Sequence, residues 1–247
     1  MTSGVDQPLN LDQQAQPLDV TTLGTTLVLA PHPDDESLGC GGTMALLRQH
    51  ERPVYVLFVS DGTMSHPHSP TYPAGRLRAV REAEALDALR RLNVPTANAR
   101  FMRQPDTQVA TPDSPGFREA VAQMVRYLTD IRPDTVLVPW RRDPHRDHRA
   151  TYEQLRAALM QLSRQPRVLE YPIWLWELGR SADAPRPGEV RVWRVAIDTV
   201  LDQRNEAIAA HVSQVTRLID DDPDGFYLSP DLLLHFAAPR ELFLESI

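Results

Sequence analysis

The residues from His32 to Glu36 bring one imidazole and three carboxylates into five consecutive positions. After Pro33, the carboxylates belong to Asp34, Asp35 and Glu36. Burying this much negative charge is costly unless a cation or several hydrogen-bond donors lie nearby. The cluster therefore predicts a metal site, whereas a polar loop with a helix-capping aspartate is the simpler alternative.

A second polar cluster lies much further along the chain, between Asp143 and His148. His145 and His148 are three residues apart, so they share one face if a helix begins here. Each cluster lies within a few residues after an apolar run, Thr26–Ala30 for the first and Thr135–Pro139 for the second, and such runs predict buried strands. Because open α/β sheets bind ligands beyond the carboxyl ends of their strands, both clusters are expected to meet at one sheet edge.

Strands alternate with helices along the first two thirds of the chain, and this order predicts a Rossmann-like α/β fold. The sheet is expected to be mostly parallel, with helices on both faces. The other predicted strands are Val54–Ser60, Arg100–Met102, Arg167–Tyr171, Arg191–Ile197 and Arg240–Glu245. The predicted helices are Gly42–His50, Arg76–Leu92, Phe117–Ile131, Arg149–Gln161 and Leu201–Ile219.

The last third of the chain is expected to form a small mixed appendage that covers the sheet edge. No linker composition separates this part, so residues 21–247 are predicted to be a single domain. Residues 1–20 are predicted to be a flexible N-terminal tail, since the segment up to Gln16 is polar and lacks a signal-peptide apolar region.

At these two clusters the chain resembles the PIG-L/LmbE-like zinc-dependent N-deacetylases, which remove acetyl groups from N-acetylglucosamine-type sugars. The resemblance runs in order from about Thr25 to near the C-terminus. It implies a zinc-dependent hydrolase with one Zn²⁺ per chain and a small amino-sugar substrate or a conjugate of one. The matching segments are His32–Glu36 and His145–His148, with weaker matches at Ser60–Gly62, Arg81 with Glu84, Arg132–Asp134 and Ala210–Gln214.

The resemblance also implies how the first cluster would act. It implies that His32, Asp35 and His148 are the zinc ligands, two imidazoles and one carboxylate that leave a coordination position open. Asp34 would then be the general base for a zinc-bound water, whose pKa the metal lowers to about 7.

The remaining implied roles fall on the second cluster and on two residues outside both. His145 would contact the developing oxyanion or donate a proton. Asp147 would hydrogen-bond a site histidine and fix its tautomer. Arg81 and Asp106 would contact the substrate. Asp143 departs from the pattern, because some family members carry tyrosine there. The sequence leaves open, between site and ordinary structural positions, the roles of Trp174, Trp176, His66, His68 and His211.

Composition excludes several classes of protein. A net charge of −7 argues against a generic nucleic-acid or anionic-membrane surface. No apolar run approaches the ~20 residues of a membrane span. The single Cys40 excludes an intramolecular disulfide and suits a reducing cytoplasm, which is the expected location. The oligomeric state stays open, with a homo-oligomer among the options.

Two other functions compete with the deacetylase hypothesis. A magnesium-dependent phosphoryl-transfer enzyme would use Asp34, Asp35 and Glu36 as oxygen ligands. A non-enzymatic nucleotide-binding protein would use the glycines from Gly39 to Gly42, which are expected to form a tight turn, as a phosphate loop. That spacing is not G-x-G-x-x-G, and the adjacent carboxylates would repel phosphate.

Overall fold

Eight strands form one continuous sheet in the computed structural model, which describes residues 11–247. They are β1 (Gln16–Pro17), β2 (Thr26–Ala30), β3 (Val54–Ser60), β4 (Ala99–Gln104), β5 (Thr135–Pro139), β6 (Arg167–Tyr171), β7 (Val190–Ala196) and β8 (Arg240–Ser246). Their order across the sheet is β1-β7-β8-β6-β5-β2-β3-β4. Only β8 runs antiparallel to its neighbours, so the predicted mostly parallel α/β sheet is confirmed.

Helices cover both faces of this sheet because β2 is apolar on both sides. Val28 belongs to the core shared with α2, α3 and α6, whereas Leu27 belongs to the core shared with α4 and α5. The helices are α1 (Leu11–Gln14), α2 (Asp35–Gln49), α3 (Ala74–Arg91), α4 (Phe117–Ile131), α5 (Arg146–Leu159), α6 (Leu201–Ala210), α7 (Val212–Val215) and α8 (Pro230–His235). None of the helices within residues 11–247 is both long and apolar enough to cross a membrane.

The glycines after the first cluster lie inside α2, so the prediction of a tight turn there is wrong. The helix begins at Asp35 and not at Gly42. A Cβ atom on Gly39 would lie 2.4 Å from the Tyr171 ring, and one on Gly42 would lie 2.6 Å from Ile197. These glycines therefore allow α2 to pack closely, and they are not part of a loop.

The C-terminal third adds strands β7 and β8 to one edge of the parallel part of the sheet, as predicted for a mixed appendage. β8 pairs with both β6 and β7 in antiparallel orientation. The prediction of one long helix over Leu201–Ile219 is wrong, because α6 ends at Ala210. His211 has a non-helical ψ of 57°, and only the short α7 follows it. The segment between α7 and α8 is a loop that returns to the candidate site.

Part of the predicted N-terminal tail belongs to the fold. Residues 1–10 are outside the described residues. From Leu11 onward the prediction of a tail is wrong, because Leu11 is buried and β1 pairs with β7 in parallel register. The single domain predicted for residues 21–247 stays a prediction.

Candidate active site

Both polar clusters lie at the carboxyl ends of neighbouring strands. The first follows β2 and the second follows β5, and these two strands pair in parallel. β3 pairs with β2 on the side away from β5, and β4 lies next to β3. The loops after β3 and β4 therefore reach the same edge of the sheet. α5 begins at Arg146, three residues earlier than predicted, and His148 therefore lies in its first turn. The topology thus gathers segments that are far apart in sequence.

The three predicted metal ligands meet around one carboxylate oxygen. Asp35 Oδ2 lies 3.1 Å from His32 Nδ1 and 3.3 Å from His148 Nε2, and all three side chains are buried. Zinc bonds of about 2.0–2.2 Å in a tetrahedral site separate neighbouring ligand atoms by about 3.3–3.5 Å. The buried Nε2 of His148 has no hydrogen-bond partner. The separations and this unpartnered nitrogen both fit a bound divalent ion.

Two overlapping groups of ligand atoms extend the metal-binding potential of the site. One nitrogen from each of His32, His145 and His148 lies within 4.8 Å of the others. The same holds for one ligand atom each from His32, Asp106 and Asp147. His32 belongs to both groups, so it is the residue on which any metal site here would depend.

The protonation of His32 and His148 reflects the carboxylates that face them. Burial alone would lower the pKa of His148, but the charges of Asp35 and Asp143 raise it to about 9. For His32, burial is again opposed, here by Asp106, Asp147 and Asp35, and its pKa lies well above the usual range. The site therefore attracts positive charge, which a metal ion would supply in place of protons.

Asp34 has a strained backbone and a perturbed carboxyl group. Its φ of 149° is rarely adopted by a residue other than glycine, and such strain clusters at functional sites. The strained backbone is held by Glu36, whose Oε2 accepts a 2.9 Å hydrogen bond from the Asp34 amide. Burial, assisted by the charge of Asp35 and opposed by Arg81, raises the pKa of Asp34 to about 6.

The two predicted substrate-contact residues both line the cavity, yet each already has protein partners. Arg81 Nη2 donates to Asp34 Oδ2 at 3.0 Å and to the Pro33 carbonyl at 2.8 Å. Asp106 Oδ1 lies 3.2 Å from His32 Nε2. Burial would raise the pKa of Asp106, but His32 and Arg81 hold it well below its usual range. The structure thus assigns Arg81 and Asp106 a part in holding Asp34 and His32, and substrate contact stays a prediction.

His145 borders the cavity in one defined tautomer. It is the N-cap of α5, and its Nδ1 accepts a 3.2 Å hydrogen bond from the Asp147 amide. The other nitrogen, Nε2, must then carry the hydrogen. Burial, together with the nearby charges of His148 and His32, lowers the pKa of His145 to about 3. A neutral imidazole with Nε2–H is a hydrogen-bond donor and not an acid.

Asp147 and Asp143 are fully buried carboxylates that brace the histidines. Asp147 Oδ2 accepts from the Thr107 amide at 2.7 Å and lies 3.4 Å from His32 Nε2. Asp143 Oδ1 lies 3.4 Å from His148 Nδ1 and accepts from the His145 amide at 2.9 Å. Sequence reasoning recognised Asp143 only as a departure from the family pattern. Its spacing from the two histidines, an acidic residue five positions before His148, was the available signal.

His211 enters the site region from the break between α6 and α7. Its Nε2 lies 2.9 Å from Glu36 Oε1, and both side chains are buried. Burial would lower the pKa of His211, but the charge of Glu36 raises it. The sequence left His211 open, and the contact with Glu36 ties it to the carboxylate that holds the Asp34 backbone.

A cavity of about 280 Å³ opens onto these residues. Trp174 lines it, whereas Trp176 stacks on His235 and lines a larger cavity of about 890 Å³ that contains none of the candidate catalytic acids or histidines. His68 is exposed, and His66 is buried against Gly225 and does not line the smaller cavity. The smaller cavity is therefore the candidate active site.

Comparisons with known proteins show the family to which the chain belongs. The model of the family described as PIG-L, GlcNAc-PI de-N-acetylase, matches residues 27–159, more than half of the chain. The chain is 29% identical to the 1D-myo-inositol 2-acetamido-2-deoxy-alpha-D-glucopyranoside deacetylase of Nocardia farcinica, over 79% of this chain and 82% of the relative. It is 23% identical to a probable N-acetyl-alpha-D-glucosaminyl L-malate deacetylase 2 of Bacillus cereus, over 79% of this chain and 86% of the relative.

Solved structures share the fold. A crystallised deacetylase from the biosynthesis pathway of teicoplanin has a TM-score of 0.67 at 19% sequence identity, covering 91% of this chain and 98% of that chain. At this level of identity the likeness shows the fold alone.

Proposed function

Since the chain belongs to the PIG-L family, we propose that it is a zinc-dependent hydrolase that removes the acetyl group from an N-acetylglucosamine-type sugar or its conjugate. The observation that carries this proposal is the meeting of His32, Asp35 and His148 around one point beside the strained Asp34. The names of the curated relatives, which are deacetylases of glucosaminyl conjugates, support the same reaction class.

One divalent ion held by His32, Asp35 and His148 would supply Lewis acidity, polarising the amide carbonyl and making water easier to deprotonate. Imidazole and carboxylate ligands suit zinc better than magnesium, which prefers oxygen ligands in octahedral geometry. Asp143 would support the site by facing the second nitrogen of His148, at 3.4 Å.

Asp34 acts as the general base in the proposed reaction. With a pKa of about 6 it is ionised at neutral pH, and it accepts the proton of the attacking water. It then returns this proton to the departing nitrogen as the C–N bond breaks, so acetate and the free amine leave together. Arg81 keeps the carboxylate aimed into the cavity through the 3.0 Å contact with Asp34 Oδ2.

His145 stabilises the oxyanion in the proposed reaction. Its Nε2–H donates a hydrogen bond to the carbonyl oxygen as negative charge develops there. The alternative sequence-based role, proton donation, is less favoured, because a pKa of about 3 leaves too little imidazolium at neutral pH.

The competing functions have less support. A phosphate loop at Gly39 and Gly42 is excluded, because both glycines are buried within α2. A phosphoryl-transfer site would place phosphate beside the carboxylates of Asp34, Asp35 and Asp106, which would repel it. Arg81 is the only arginine among the described residues that line the cavity.

The test is a screen of N-acetylglucosamine conjugates with zinc-loaded protein, in which free acetate and free amine are both quantified. We expect equal amounts of the two products from at least one conjugate, and release that is slower by roughly 10²–10⁴-fold from the Asp34→Asn variant. Acetate release at a rate within a factor of a few of the parent's would remove Asp34 from the mechanism. Phosphate release from a phosphate ester, with no acetate from any amide, would favour phosphoryl chemistry.

A further inference from the structure

One side of the candidate active-site cavity is formed by large apolar side chains from three separate loops. Met64, Trp174, Leu178 and Phe226 line the cavity, and we call these four residues the apolar wall. Met64, Leu178 and Phe226 keep 44%, 55% and 39% of their surface exposed. Exposed apolar side chains gathered around one cavity mark a binding surface, whereas scattered ones need no explanation.

The apolar wall begins at a candidate catalytic residue and continues toward solvent. The ring of His145 lies 6.3 Å from that of Trp174, with their planes 28° apart. The Trp174 ring in turn lies 5.8 Å from that of Phe226. A group attached to the reacting amino sugar would therefore meet apolar surface from the reaction centre outward.

Hydrogen bonds hold the loops that carry the apolar wall. The Trp174 amide donates to Asp143 Oδ2 at 3.0 Å, which links the wall to the carboxylate beside His148. The Phe226 amide donates to the Ser65 carbonyl at 2.7 Å, which joins the loops of Phe226 and Met64. Because these contacts tie the loops to each other and to the site, the wall is a built part of the cavity.

Charge distribution in the cavity is unfavourable for an anionic group. The carboxylates that line it are those of Asp34, Asp35 and Asp106, and no charged side chain belongs to the apolar wall. Arg81 is the only arginine lining the cavity within residues 11–247, and the chain has no lysine. Its guanidinium already bonds Asp34 and two backbone carbonyls. Outside the metal site, the one arginine that a substrate carboxylate or phosphate would meet among the described lining residues is therefore Arg81, whose charge Asp34 already pairs.

We propose that the apolar wall binds an apolar group carried by the amino-sugar substrate, and that it selects alkyl- or aryl-substituted amino sugars over anionic conjugates. This inference rests on the proposed deacetylase function for its kinetic test. The apolar group could be an aglycone or a longer N-acyl chain. Either one would extend from the reaction centre along Trp174.

The experiment compares kcat/KM of the zinc-loaded protein for octyl and methyl glycosides of N-acetylglucosamine, and for an anionic carboxypropyl glycoside. We expect at least a tenfold preference for the octyl glycoside over the other two, since burying about two methylene groups suffices for a factor of ten. N-octanoyl and N-acetyl forms of the methyl glycoside form a second pair. A preference in this pair would assign the apolar group to the acyl chain.

The matched variants are Leu178→Ser with Phe226→Ser as a double variant, and Met160→Ser as the control. Met160 is exposed at the far end of α5, about 20 Å along the helix from His148. The tenfold preference should fall to within about twofold in the double variant and persist in the control. No preference for the octyl group in either substrate pair of the parent protein, or a preference that survives the double substitution, would overturn the proposal.

A binding measurement separates failure of this inference from failure of the proposed function. Calorimetry with octyl glucosaminide, which has no amide to hydrolyse, should give at least tenfold tighter binding than methyl glucosaminide. Tight octyl binding without any acetate release would reject the deacetylase while supporting the apolar wall. Acetate release with equal binding of the two glycosides, and with no preference for the N-octanoyl substrate, would reject the apolar wall while leaving the deacetylase in place.

Discussion

Replacing Asp34 with asparagine should abolish most turnover and, in the metal-free protein, increase stability. Asparagine has nearly the same shape and can still accept the hydrogen bond from Arg81, but it cannot take a proton from water. Loss of a general base typically lowers the rate by roughly 10²–10⁴-fold. The metal content should be retained, because Asp34 is not among the proposed ligands.

The stability gain follows from the pKa of Asp34. Burial raises this pKa from 3.8 to about 6, so the unfolded chain ionises the carboxyl group more readily than the folded one. The ionised group therefore opposes folding. Its cost is absent below pH about 4, grows as the pH rises, and is complete above pH about 6. A shift of about two units corresponds to about 3 kcal/mol at pH 8.

The assay is thermal and denaturant unfolding of both proteins with a chelator present. At pH 8 the Asp34→Asn variant should be about 3 kcal/mol more stable, which for this chain length raises Tm by roughly 6–12 °C. At pH 4 the difference should vanish. Asp35→Asn is the matched control and should destabilise at pH 8, because His148 and His32 hold the pKa of Asp35 below its usual range despite its burial.

Three results would each refute a part of this reasoning. An Asp34→Asn variant no more stable than the parent at pH 8 would show that the carboxyl group carries no ionisation cost. An equal gain at pH 4 and pH 8 would show that the effect does not come from ionisation of the carboxyl group. A kcat within a factor of a few of the parent would remove Asp34 as the base.

The other predictions concern the metal, the oxyanion and α2. His148→Ala should lose most bound zinc by elemental analysis, and full retention would show that His148 is not a ligand. His145→Ala should lower kcat by roughly 10²-fold with little change in KM; a change in KM alone would instead indicate substrate positioning. Gly42→Ala should destabilise the protein by about 1–3 kcal/mol, because its Cβ would meet Ile197 at 2.6 Å. The control is Gly75→Ala, whose Cβ would meet nothing within 4 Å, and it should stabilise the protein by about 0.5–1 kcal/mol in the same unfolding assay. Equal changes in stability for the two variants would refute the packing argument.

Sequence patterns predicted the strands better than the ends of the helices. The bounds of β2, β3, β5 and β6 match the predicted ranges, because continuous apolar runs bounded by polar residues are local signals. The start of α2 was missed because its first turn is the acidic cluster and its next residues include three glycines. Their suitability for a helix depends on Tyr171 and Ile197, which are distant in sequence.

The candidate site shows the same division between local and distant information. The residue types and the strand ends predicted from the sequence that the two clusters meet, and the family resemblance then implied His32, Asp35 and His148 as ligands, which stays a prediction. The break after α6 places His211 against Glu36, which is 175 positions away in sequence, and no local pattern indicates this contact. The role of Asp143 depends in the same way on the Trp174 amide and on the fold of the loop after β6.

The most direct test of the account is a zinc titration of metal-free protein, with acetate release from an N-acetylglucosamine conjugate as the readout. Activity should be absent in the chelated protein, rise in proportion to added zinc, and stop rising at one ion per chain. A chelated protein that releases acetate at the full rate, or a zinc-saturated one that is inactive on every conjugate tried, would contradict the proposed metal-dependent deacetylase.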